Sequence, residues 1–208
     1  MYLPKHFSQT DFDQVRSLVE NNSFATILSF TEGTRPFINH LPVIFNSNKT
    51  DDKMIIGHMA KRNPQWQHFK KNPDCTMIFQ GGHTYVTPKW YRSGRDVPTW
   101  NYAIVHLHGK IEVVESYDEQ IEILKKLTHY FEKDSLNPWE FSMPQDLVQE
   151  SVLTSSIVSF KFKIESIEAK FKLSQNRSKE DQEGIIEGLK ERSDEMSKLV
   201  LKMMQERL

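Results

Sequence analysis

Phe24-Ala25-Thr26-Ile27-Leu28-Ser29-Phe30 opens a series of short runs rich in β-branched and aromatic residues, and local turns rather than long helices separate them. Such residues fit a pleated, half-buried surface, so each run reads as a strand. Glu32-Gly33-Thr34 turns the chain into Phe37 to Phe45, and Asn46-Ser47-Asn48 closes that hairpin. Met54 to His58, Cys75 to Gln80, Thr84 to Thr87 and Thr99 to Glu115 continue the series, joined by Gly81-Gly82-His83 and by a loop from Tyr91 to Pro98. Later, Val158, Phe160, Phe162 and Ile164 alternate with Ser159, Lys161 and Lys163, the period of a half-exposed strand. No βαβα alternation occurs. The expectation is therefore a β-rich α+β chain, with an antiparallel barrel or sandwich and peripheral helices.

Helical spacing marks the periphery. Thr10 and Asp13 form a loose capping box ahead of Phe12, Val15, Leu18 and Val19, which predicts a helix near 11–21. Pro64 suits the first position of a short helix whose Trp66 and Phe69 face inward. Glu119 to Glu132 places Ile121, Leu124, Leu127 and Phe131 on one face, and a short helical stretch follows the irregular segment Asn137 to Pro144. From Ser178 onward Ile185, Ile186 and Leu189 share a face, Ser193-Asp194 allows a break, and Met196, Leu199, Val200, Met203 and Met204 follow. The chain thus reads as a barrel domain over 1–177 and a helical arm over 178–208. An amphipathic arm of this kind must pack on the body or on a second subunit.

Charge limits the partners. The 27 basic and 28 acidic residues leave a net charge of −1. A generic nucleic-acid binder draws its affinity from neutralised phosphates, so any DNA contact here needs a local patch. The single cysteine, Cys75, lies in the apolar run Cys75-Thr76-Met77-Ile78-Phe79 and reads as a small buried hydrophobe. One cysteine forms no disulfide within a chain. With no signal-like apolar start at Met1 to Phe7 and no span of about 18 apolar residues, it points to a cytoplasmic protein away from membranes.

Two regions hold groups that suit chemistry. Between His83 and Gly109 stand two of the 4 tryptophans and three of the 6 tyrosines, with Thr87, Lys89, Arg92, Arg95, Asn101, His106 and His108 among them. A planar isoalloxazine ring needs aromatic walls with hydrogen bonds at its polar edge, and a phosphate needs cations, hydroxyls or backbone N–H groups. The same aromatic strands fit an ordinary core. His58-Met59-Ala60-Lys61-Arg62-Asn63-Pro64-Gln65-Trp66 leads from a strand end through two cations into a helix start, which suits an anion as well as a solvated basic turn. His106-Leu107-His108 sets two imidazoles on one strand face, but no acidic or cysteine ligand follows at metal-site spacing, and no metal is expected. Neither G-x-G-x-x-G nor G-x-x-x-x-G-K-[ST] is present, and linear order gives no nucleophilic triad.

Several strings carry a family resemblance. They are Met1-Tyr2, Pro4-Lys5 and Phe7; Asn39-His40-Leu41-Pro42; Gly57-His58; Asn63-Pro64-Gln65-Trp66; and Tyr85 with Trp90-Tyr91. Val97-Pro98-Thr99-Trp100-Asn101-Tyr102, Val105-His106, His108-Gly109 and Lys172-Leu173-Ser174-Gln175-Asn176-Arg177 complete the set, in order along nearly the whole chain. In these the sequence resembles the PaiB-type FMN-binding negative transcriptional regulators. The resemblance implies a split β-barrel related to pyridoxamine-phosphate oxidase and flavin reductases, with FMN at a homodimer interface. It makes His58, Lys61 and Arg62 phosphate candidates, sets Tyr85, Thr87, Lys89 and Trp90 beside the flavin or its ribityl chain, and puts Trp100 and Asn101 at the ring. Gln175, Asn176 and Arg177 would close the pocket. It also implies a repressor of sporulation and protease programmes, although no helix-turn-helix pattern is visible. The alternative is an FMN-dependent oxidoreductase, since FMN itself carries hydride or electrons.

Overall fold

The computed structural model describes residues 1–30, 35–47, 49, 53–94, 97–142 and 155–207. The turn expected at 32–34, Asn48, Arg95 and the helical stretch expected after Pro144 lie outside the described residues. Strands β1 (Phe24–Ser29), β2 (Phe37–Phe45), β3 (Met54–Ala60), β4 (Asp74–Val86), β5 (Thr99–Val113) and β6 (Ile157–Lys172) form an antiparallel sheet. Their order is β1-β2-β3-β6-β5-β4, closed into a barrel. Helices α1 (Phe12–Asn21), α2 (Gln65–Lys71), α3 (Tyr117–Glu132), α4 (Lys179–Lys190) and α5 (Glu195–Gln205) accompany it. Among the described residues no helix is long and apolar enough to cross a membrane.

The chain forms two compact units. One comprises Ser23–Ile78 and Leu107–Ile167. Its inner face follows from the register: Ile55 opposes Phe162, Gly57 opposes Phe160 and Met59 opposes Val158, all buried. Gly57 is a close-approach position, because a Cβ there would stand 2.5 Å from the Phe160 ring. Phe160 therefore fills the space that a side chain on β3 would take. Each such aromatic, fully buried, is worth roughly 1.5–3 kcal/mol relative to exposure. On the other face Ile44, Ile56 and Val114 pack with Ile123 and Leu127 of α3. Phe131, expected on that apolar stripe, is 46% exposed at the helix end.

The other unit comprises Met1–Asn22, Phe79–His106 and Glu168–Leu208. Asp11, rather than Thr10, caps α1, its carboxylate accepting from the Asp13 amide at 2.9 Å. The sequence reading put a turn at Gly81-Gly82-His83; the structure runs β4 straight through it. Those glycines serve approach instead. A Cβ on Gly82 would lie 2.6 Å from the Leu199 Cβ, and one on Gly81 would lie 3.2 Å from the Leu18 side chain. The two helices of the C-terminal arm pack within this unit, with Ile185, Leu189 and Val200 fully buried. Ser178 caps α4 and Asp194 caps α5 through their side-chain oxygens.

Candidate functional site

In the first unit β3 delivers His58 and then the Lys61-Arg62 turn. His58 opposes Ser159 of β6, and its Nδ1 is buried with no hydrogen-bond partner among the described residues. Burial holds its pKa below the usual imidazole value, so the neutral ring prevails near neutrality. Lys61 and Arg62 are exposed. Trp66 braces the turn: its indole N–H donates to the Lys61 carbonyl at 3.0 Å, and the Lys61 Nζ lies 4.2 Å from the ring centroid. Behind the turn Gln65 is fully buried, donating to the carbonyls of Ile27 and Phe37 at 3.2 Å each. Asn39 donates to Asn63 at 3.1 Å and to Gln65 at 2.9 Å. The Asn39 and Asn63-Pro64-Gln65 strings are thus fastened to each other, and they fix where the two cations sit.

In the second unit Tyr85 of β4 and Trp100 of β5 form an open aromatic face. Their ring centroids are 6.1 Å apart at 70°, and they are 39% and 52% exposed. His83 adds a third ring, 6.3 Å from Trp100. Arg192, Asp194, Met196 and Ser197 of the arm complete a cleft of about 280 Å³ around them. Sequence reading missed these arm residues. Their only signal was an amphipathic arm in need of a surface to cover.

Thr87, Lys89 and Trp90 share one 3₁₀ turn, Pro88–Trp90. Thr87 accepts from the Lys89 amide at 3.4 Å, and the Lys89 side chain is exposed. Trp90 is wedged against α4, where Gly184 and Gly188 leave room for its backbone and ring, and the Arg192 guanidinium lies 5.6 Å from the ring. Asp181 accepts from the Ser93 amide at 2.9 Å and its hydroxyl at 3.0 Å, while Arg92 pairs with Glu183 at 3.0 Å and Glu187 at 2.9 Å.

Asn101 is fully buried and turned inward. Its carbonyl oxygen accepts from the Ser174 hydroxyl at 2.9 Å, and its amide lies 3.5 Å from the Met204 sulfur. Ser174 has φ 60°, the left-handed region, which disfavours a residue with a Cβ. Gln175 clasps the same turn, its Oε1 accepting from Leu173 N at 2.7 Å and its Nε2 donating to the Phe171 carbonyl at 2.5 Å. Asn176 is exposed, and the Arg177 guanidinium lies 5.3 Å from the Tyr91 ring. The structure therefore sets Tyr85 beside Trp100, and it leaves Lys61 and Arg62 exposed just beyond the strand that carries His58. It gives Asn101 and Gln175 to internal bonds.

Comparison with known proteins adds a family. The model of the family described as "Putative FMN-binding domain" matches residues 1–166. Over its whole length the chain is 40% identical to the protease synthase and sporulation protein PAI 2 of Bacillus subtilis (strain 168), covering 98% of that protein. The chain belongs to the PaiB-type FMN-binding family. Solved structures agree on the fold. The flavocytochrome Anf3 from Azotobacter vinelandii aligns with TM-score 0.61 at 13% identity, over 79% of this chain and 69% of that one. The FAD and heme binding protein from Mycobacterium smegmatis aligns with TM-score 0.61 at 13% identity, over 79% of this chain and 73% of that one. The match to the PaiB-type family model ends before α4 and α5, so the arm residues at the aromatic cleft lie beyond it.

Proposed function

We propose that this chain is a cytoplasmic, homodimeric FMN-binding protein that lowers the expression of protease and sporulation genes. The observation that carries the reading is the full-length 40% identity to a protein whose name records protease synthesis and sporulation. The residues fit the cofactor. The exposed Lys61 and Arg62 suit the 5′-phosphate, since cations favour an anion, and the neutral His58 ring beside them on the chain has one N–H to donate. Tyr85 and Trp100 offer ring faces of the kind an isoalloxazine stacks on, and Thr87 and Lys89 offer a hydroxyl and a cation to the ribityl chain. Asn176 and Arg177 close the pocket from the turn that Ser174 and Gln175 hold, and Trp90 and Asn101 act by fixing the backbone around them. When bound, FMN supplies one- and two-electron chemistry, and the protein supplies its orientation.

The phosphate assignment is tested by Lys61→Ala together with Arg62→Ala. Losing two charge-assisted contacts lowers FMN affinity by roughly tenfold or more, read by fluorescence titration. Unchanged affinity would place the phosphate elsewhere. The exposed Trp100 face favours a second reading, an FMN-dependent oxidoreductase whose second reactant stacks there. Steady NADH- or NADPH-driven flavin reduction would support it.

A further inference from the structure

Two lysines of β6 sit where lysines are seldom left without a counter-charge. Lys170 is 8% exposed, and Lys172 is half-buried two residues further on, so both project from one strand face. The Lys170 ammonium donates to the Tyr2 carbonyl at 3.1 Å and lies 5.3 Å and 5.5 Å from the ring centroids of Tyr2 and Tyr102. The Lys172 ammonium meets the Thr99 hydroxyl and lies 6.0 Å from the Phe7 ring. Among the described residues no carboxylate pairs with either. Aromatic faces and single oxygens soften the loss of water around a cation but leave its charge uncancelled. Burial, with Lys170 and Arg177 nearby, holds the Lys172 pKa below the usual lysine value.

We propose that Lys170 and Lys172 form a binding site for an anionic group, a phosphate monoester or a carboxylate, of a small molecule. Tyr2, Phe7 and Tyr102 supply its aromatic wall, and Thr99 steers the Lys172 ammonium. The site uses residues separate from the Lys61-Arg62 turn, and it competes with that turn for the flavin phosphate only if the anion is the flavin's. The anion is either the phosphate of the flavin itself or that of a second ligand.

The test uses the full-length chain, freed of phosphate, with inorganic phosphate as the probe. Binding is read by ³¹P line broadening and by the rise in thermal midpoint at fixed ionic strength. Wild type and the exposed-lysine control Lys190→Met bind phosphate. Lys172→Met and Lys170→Met lose roughly tenfold or more in affinity, and Lys172→Arg retains binding. Without phosphate at low salt, Lys172→Met melts at or above the wild-type midpoint, because one uncompensated charge has gone. Wild type blind to phosphate, or methionine variants that bind it as wild type does, would overturn the site. So would a lowered midpoint with an unchanged phosphate response. Parallel titrations with FMN and riboflavin identify the source. If Lys172→Met weakens FMN alone, the anion is the flavin phosphate; if both flavins bind normally while phosphate is lost, it belongs to a second ligand.

Discussion

Gly184 and Gly188 stand one turn apart on α4, and both face Trp90. A Cβ on Gly184 would come within 2.1 Å of the Trp90 carbonyl oxygen, whereas one on Gly188 would meet the indole ring at 2.3 Å. Alanine gains about 1 kcal/mol over glycine in a helix, but overpacking costs about 1–3 kcal/mol where the neighbour has nowhere to go. Backbone yields less than a side-chain ring, even where the atoms met belong to the fused body of the indole. Gly184→Ala is therefore expected to destabilise by about 1–2 kcal/mol in urea unfolding, and Gly188→Ala by less; a stabilised Gly184→Ala would contradict the packing. Cys75 gives a second expectation at this scale. It is buried, and burial pushes its thiol pKa up to about 12. It should resist a thiol reagent at pH 8 in the native protein and react once the chain is unfolded.

At the scale of elements, α4 clasps the turn that carries Thr87, Lys89 and Trp90. The Ser93 amide holds the Asp181 carboxylate below its ordinary value of 3.8, aided by the Ser93 and Ser178 hydroxyls. A depressed carboxylate stabilises the fold fully above the unfolded value and loses that contribution as pH falls through the lower folded one. The clasp should thus hold through mildly acidic solution and release below pH 3.8, seen as a change in tryptophan emission that Asp181→Asn shows already at neutral pH. A wild-type emission change at pH 5 would argue against it.

Most strands were legible from alternation and turns. β3, β5 and the inward residues of β6 follow directly from apolar periodicity. β4 was not, because a glycine pair reads alike whether it turns the chain or admits a neighbour, and only Leu18 and Leu199 in place decide. The local setting of the candidate residues was legible in part. The strand end at His58 and the turn at Lys61-Arg62 could be read because both are local events. The internal bonds of Asn101 and Gln175 were not legible, because a polar side chain in a motif looks the same whether it serves a ligand, its own turn or, for Asn101, a turn 73 residues away.

Across the whole molecule, a net charge of −1 gives phosphate backbones little to hold, so a regulatory role requires either a local basic patch or a protein partner. The flavin is the more basic claim, since both functional readings depend on it. The most direct measurement is a titration of the purified full-length chain with FMN, following flavin emission and the mass of the complex. One FMN per chain is expected, with flavin emission quenched by stacking on Trp100 and Tyr85 and recovered in part by Trp100→Leu. A colourless protein that takes up no added FMN would contradict the account.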